Sequence, residues 1–195
     1  MTRQYRKERQ HMTGKTHLMI GTTLAYMACA KSNINFSIAA AAYAAVGSLL
    51  PDIDEKHSTI NQYIPMNLGK LIYGIVGIAL AYHIYETGNI AYVLPSALLI
   101  LIYFSGHRGF THSITACILF SMAFIEGRNT LIPFVAGYLA HLIFDMFNTK
   151  GILLIYPLKK RFKFPLNFST DSVLGKTFEL VFNGMCICYW LIILV

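Results

Sequence analysis

Seven apolar runs, separated by short polar turns, leave this chain few folds. They cover residues 18–30, 34–50, 71–85, 90–105, 114–125, 131–147 and 178–195. Hydrophobic residues make up 55% of the 195 and charged residues only 13%, against about 25% charged in soluble proteins. Blocks of this kind belong to a polytopic membrane protein rather than to a soluble core. The expectation is an all-α transmembrane bundle of five to seven helices, forming one domain over 1–195. Several runs fall short of the roughly 20 residues that cross about 30 Å of hydrocarbon. The runs at Leu18 and Ile114 are the weakest, and each can be lengthened by annexing its polar neighbours, which would put those polar groups inside the bundle.

Charge tests the crossings independently. With the N-terminus cytoplasmic and every run crossing, fourteen of the 16 Lys and Arg fall on the inner side, leaving only Lys31 and Arg128 outside. That is the asymmetry of the positive-inside rule. The inner segments include a basic tail, 1–15, and a long loop, 148–177, with the cluster Lys159-Lys160-Arg161-Phe162-Lys163. That cluster suits an anionic membrane surface or serves as an orientation signal. The net charge of +7 therefore implies lipid rather than nucleic acid, for which the chain has no motif. A rival reading takes the N-terminus as a signal peptide ending at Ala28-Cys29-Ala30; cleavage there would discard His17. Cys29, Cys117, Cys186 and Cys188 all lie in apolar runs and read as small hydrophobes.

Four polar islands interrupt the oil: Thr16-His17, Pro51-Asp52-Ile53-Asp54-Glu55-Lys56-His57, His107-Arg108-Gly109-Phe110-Thr111-His112-Ser113, and His141 with Asp145. Ionisable residues at membrane depth are expensive and mark function. The topology brings all four islands to the cytoplasmic side. His141 and Asp145, four apart, share one helix face. Asp52 and Asp54 point the same way if their turn is extended. His107 and His112 would diverge on an unbroken helix, but Gly109 can bend the chain so that they converge. Thr111 and Ser113 either bond a substrate oxygen or cap the next helix. The shared reading is a metal site of His17, Asp52, Asp54, His107, His112, His141 and Asp145. His57 and Asp171 are left open as members, whereas His11 and His83 are incidental.

These residues resemble a known family. His17, Pro51-Asp52-Ile53-Asp54, the stretch 107–113, the stretch 137–145 ending in His141 and Asp145, and 151–157 ending in Tyr156-Pro157 resemble the YdjM family. Its members are bacterial inner-membrane proteins described as LexA-regulated metal-dependent hydrolases. Asn148 stands where the family tends to have threonine, and Asp171 where it has glycine. The resemblance implies hydrolase activity under SOS control but names no substrate.

The functional expectation is hydrolysis of an ester, a phosphoester of a lipid or amphiphile, at the cytoplasmic face of the inner membrane. Seven ligands exceed the need of one zinc, so two divalent ions are expected, with zinc, manganese or iron all fitting mixed nitrogen and oxygen donors. Arg108, always charged, would steady developing negative charge, with Asp54 and His112 as the other catalytic groups. The alternatives are a metal-ion transporter or sensor, and a structural membrane protein whose metal clamps helices.

Overall fold

The computed structural model describes residues 13–54, 68–105 and 109–194. These form seven α-helices: α1 Gly14–Lys31, α2 Ile38–Leu49, α3 Leu68–Thr87, α4 Val93–Phe104, α5 Ile114–Phe124, α6 Arg128–Asp145 and α7 Val173–Leu194. Three 3-10 turns, Leu50–Asp54, Ile90–Tyr92 and Phe110–His112, join them. The described residues contain no strand, only two isolated β-bridges, Asn148 with Phe168 and Ile152 with Phe162. All-helical architecture is as the apolar blocks predict.

Hydroxyl caps set where three helices start. Thr13 accepts from the amide of Thr16, Ser37 from that of Ala40 and Ser113 from that of Ala116, each satisfying an amide that the first turn leaves orphaned. The first helix thereby annexes Thr16 and His17, as expected of a short run. The run at Ile114 does not: Thr111 stays in the 3-10 turn and Ser113 becomes the cap. The Ser113 hydroxyl also donates to the Phe110 carbonyl at 2.6 Å. Pro51 ends α2, and the chain tightens into a 3-10 turn instead of the extended turn anticipated for Asp52 and Asp54. The extended backbone on which that pairing was premised is therefore replaced by a 3-10 turn.

Helix α6 is the centre of the fold, packed between α1 and α2. Glycines allow this: a Cβ on Gly47 would meet the carbonyl oxygen of Phe134 at 2.2 Å, and one on Gly137 that of Ala44 at 2.4 Å. Such close backbone approach is how helices associate where lipid supplies no hydrophobic drive. Tyr138, Phe134 and Leu142 of α6 are fully buried with Phe110, Leu98 and Ile102. Helices α3 and α4 form a hairpin in which the Ser96 hydroxyl donates to the Gly77 carbonyl at 2.8 Å.

Among the described residues, only α3 and α7 are long and apolar enough to cross a membrane by themselves. Their 20 and 22 residues give about 30 and 33 Å at 1.5 Å per residue. Helices α2, α4 and α5, of 11 or 12 residues, reach only about 18 Å. Helix α7 exposes Leu180, Val181, Met185, Leu191 and Ile192, a face that soluble monomers rarely carry. On its other face, Glu179 accepts from the Thr13 amide at 3.2 Å, the Asn183 amide group donates to the Thr16 hydroxyl at 3.0 Å, and Trp190 Nε1 donates to the Thr23 hydroxyl at 2.9 Å. This polar seam ties the last helix to the first. Thr16→Val breaks it at the centre and strands the Asn183 amide, whose Oδ1 is already buried without a partner. Asn183→Leu removes both atoms at once. Thr16→Val should thus cost more, about 1–2 kcal/mol against about 0.5, as thermal unfolding in detergent would read.

The segment after α6 folds back instead of dangling. The amides of Phe164 and Phe168 donate to the carbonyls of Met146 and Phe147, and Ile152 and Phe162 exchange both bonds of a bridge. Asn148 closes an Asx turn, its Oδ1 accepting from the Lys150 amide at 3.1 Å.

Candidate metal centre

Three histidines and two carboxylates from distant parts of the chain meet where α1, α2 and α6 come together. His17 comes from the first turns of α1. Asp52 comes from the turn after α2, His112 from the turn before α5, and His141 and Asp145 from the end of α6. Asp52 Oδ1 lies 3.2 Å from His112 Nε2 and 3.6 Å from His141 Nε2. Asp145 uses both oxygens: Oδ2 is 3.3 Å from His112 Nε2 and Oδ1 is 3.6 Å from His17 Nε2. The rings of His17 and His141 stack at 3.9 Å. Four of the five residues are at most 2% exposed, and Asp52 is 7% exposed.

The donor set fits a divalent cation. Both ring nitrogens of His17 and Nε2 of His141 are buried without a hydrogen bond, an expensive arrangement unless something binds their lone pairs. His141 Nδ1 donates to the Ser48 carbonyl at 2.7 Å. That bond fixes the tautomer and aims the Nε2 lone pair into the cluster, as partners of metal-binding histidines do. Donors about 2.1 Å from one ion in a tetrahedron stand about 3.4 Å apart, and the separations above bracket that figure. Two groups, His17 with His141 and Asp145, and Asp52 with His112 and His141, each place their ligand atoms within 4.8 Å of one another. They share His141, whose single available lone pair serves one ion.

Burial opposes a charge on His112, but the carboxylates of Asp145 and Asp52 hold its proton and push its pKa up to about 10. Metal binding at Nε2 must displace that proton, because only neutral imidazole ligates. Affinity for a divalent ion should therefore fall as pH falls, by about tenfold per unit for one proton released. Chelator competition at pH 6 and pH 8 measures this; a flat profile would remove His112 from the ligands.

The other expected members divide clearly. Asp54 closes its turn, but its side chain, like His57, His107 and Arg108, lies outside the described residues. Asp171 is exposed and interacts with Glu179. His83 is exposed against Tyr92, outside the cluster. All four cysteines are free, and three of them are buried. Sequence reasoning missed Ser48 and Tyr138. Ser48 acts through its main chain, which leaves no mark in a sequence. Tyr138 donates its hydroxyl proton to the Thr111 carbonyl, holding the residue next to His112. Its position three before His141 was the available signal.

Fold and site together define an all-helical, membrane-type protein with a buried histidine–aspartate cluster suited to a metal ion. The chain belongs to the YdjM family: the family model described as YdjM inner membrane protein matches residues 12–195. It is similar to YvsG of Bacillus subtilis, 29% identical over 185 residues, covering 92% of this chain and 94% of that protein. It is also similar to the inner membrane protein YdjM of Escherichia coli, 38% identical over 69 residues, covering 31% of this chain and 35% of that protein. The inner membrane protein YdjM of Shigella flexneri gives the same figures. No solved structure matches. The relatives support an inner-membrane location.

Proposed function

We propose that this protein is a membrane-bound, metal-dependent hydrolase of an ester, a phosphoester of a lipid or amphiphile, working at the cytoplasmic face. The observation that carries the proposal is the set of buried, unbonded nitrogens on His17 and His141 facing the carboxylates of Asp52 and Asp145. A purely packing cluster would satisfy those nitrogens with hydrogen bonds. When bound, a divalent cation supplies Lewis acidity toward a phosphoryl oxygen and lowers the pKa of water. His17, His112 and His141 with Asp52 and Asp145 hold the cation. Arg108 lies in the same polar island as His112 and is suited to an anionic substrate oxygen. The five described residues would hold one ion, and Asp54 and His107 would supply ligands to a second.

The test uses purified protein in nanodiscs with a panel of short-chain phospholipids and aryl phosphate esters. Turnover should appear, disappear with a chelator, return with zinc, manganese or iron, and be absent from His141→Ala. Full activity in metal-free protein would exclude the reading. Full metal occupancy without turnover would favour a helix clamp, and metal uptake into sealed proteoliposomes a transporter.

A further inference from the structure

The loop between α6 and α7 carries five basic residues, Lys150, Lys159, Lys160, Arg161 and Lys163, and no acidic one between Asn148 and Thr170. A charge run of this kind is ordinarily a solvated tether. Here it is built into the fold. Ile152 is fully buried in the main core. The Ile114 amide donates to the Leu154 carbonyl at 2.9 Å, and the Thr115 hydroxyl donates to the Tyr156 carbonyl at 2.9 Å. Arg161 is spent internally, donating to the Gly151 carbonyl at 3.3 Å. The chain is thus pinned at α6 on one side and at the start of α5 on the other.

What the pinned loop turns outward is a mixed surface. Lys159, Lys160 and Lys163 are exposed. Among them stand Leu158, 58% exposed, and Leu166, 74% exposed. Large apolar residues in a fixed loop gain nothing from water. The loop leads directly into α7, which starts at Val173 and is long enough to cross the bilayer. The start of such a helix lies at the boundary between hydrocarbon and headgroups. Lysines at that level are attracted to anionic lipid, and leucines beside them reach the acyl boundary.

We infer that residues 155–166 form a docking surface for the anionic phospholipid leaflet. Lys159, Lys160 and Lys163 select the headgroup charge, and Leu158 and Leu166 insert beneath it. The inference does not depend on hydrolysis.

Leu158→Trp in the full chain supplies the probe, with Trp190 of the parent as baseline. Protein is reconstituted into equimolar phosphatidylcholine and phosphatidylglycerol, with bromine on the acyl chains of one lipid only. The added fluorescence should be quenched about twofold more strongly, or better, when phosphatidylglycerol carries the bromine. The preference should vanish in Lys159→Glu/Lys160→Glu/Lys163→Glu and persist in Lys31→Glu, at the C-terminal end of α1. Should the triple variant not fold, 0.5 M salt on the Leu158→Trp protein supplies the same test, since screening removes the preference. Equal quenching by both lipids, quenching by neither, or a preference indifferent to salt would overturn the inference.

Discussion

Alanine in place of Asp145 should leave the purified protein with less than about a tenth of the wild-type metal. Loss of even an outer partner of a ligand costs roughly 10–100-fold in affinity, and Asp145 stands closer than that. Its two oxygens reach His17 and His112 separately, so its removal opens the cluster on two sides. Elemental analysis of wild type and variant, each eluting as a single species, decides the matter. Asp145→Asn keeps the shape and drops the charge, so it should lose metal nearly as fully. A variant that retains full metal would show that the cluster is not the binding site.

The second large effect is remote from any ligand atom. A methyl on Gly47 would sit 2.2 Å from the Phe134 carbonyl oxygen and 3.1 Å from the Tyr138 amide nitrogen. Both neighbours are backbone, so neither can rotate away, and α2 and α6 must part. Overpacking of this kind costs about 1–3 kcal/mol and occasionally more. The same displacement pulls the Ser48 carbonyl from His141 Nδ1, now 2.7 Å apart. Gly47→Ala should therefore lower both the unfolding temperature and the metal affinity, the latter by roughly 10–100-fold. Gly184→Ala, with nothing within 4 Å, is the matched control and should change neither. Coincidence of the Gly47→Ala and wild-type melting curves would refute the account.

The site is legible in the sequence wherever its logic is local. The spacing of His141 and Asp145 places both on one face of α6, and the helix does end at Asp145. Gly109 is not where the helix breaks: α4 already ends at Phe104 with Ser105 as its cap, and Gly109 only precedes the 3-10 turn that carries His112. The illegible parts depend on partners far away in the chain. Nothing around Ser48 announces that its carbonyl orients a histidine 93 residues on. Asp52 and Asp54 read as an extended pair because Pro51 halts a helix without dictating the conformation of the residues after it. The seam on α7 is visible in principle: Glu179 and Asn183 are polar residues one turn apart in an apolar run. Only their partners on α1 give them meaning.

That seam has a consequence for how the chain is made. Thr23 and Trp190 are separated by 167 positions. At roughly 5–20 residues per second, the first helix waits on the order of 10–30 s for the last to emerge from the ribosome. Throughout that interval Thr23 donates to the Met19 carbonyl of its own helix and Thr16 pairs with Thr13, so the acceptors for Asn183 and Trp190 stand ready, while His17 sits on a helix whose final neighbour has yet to be synthesised.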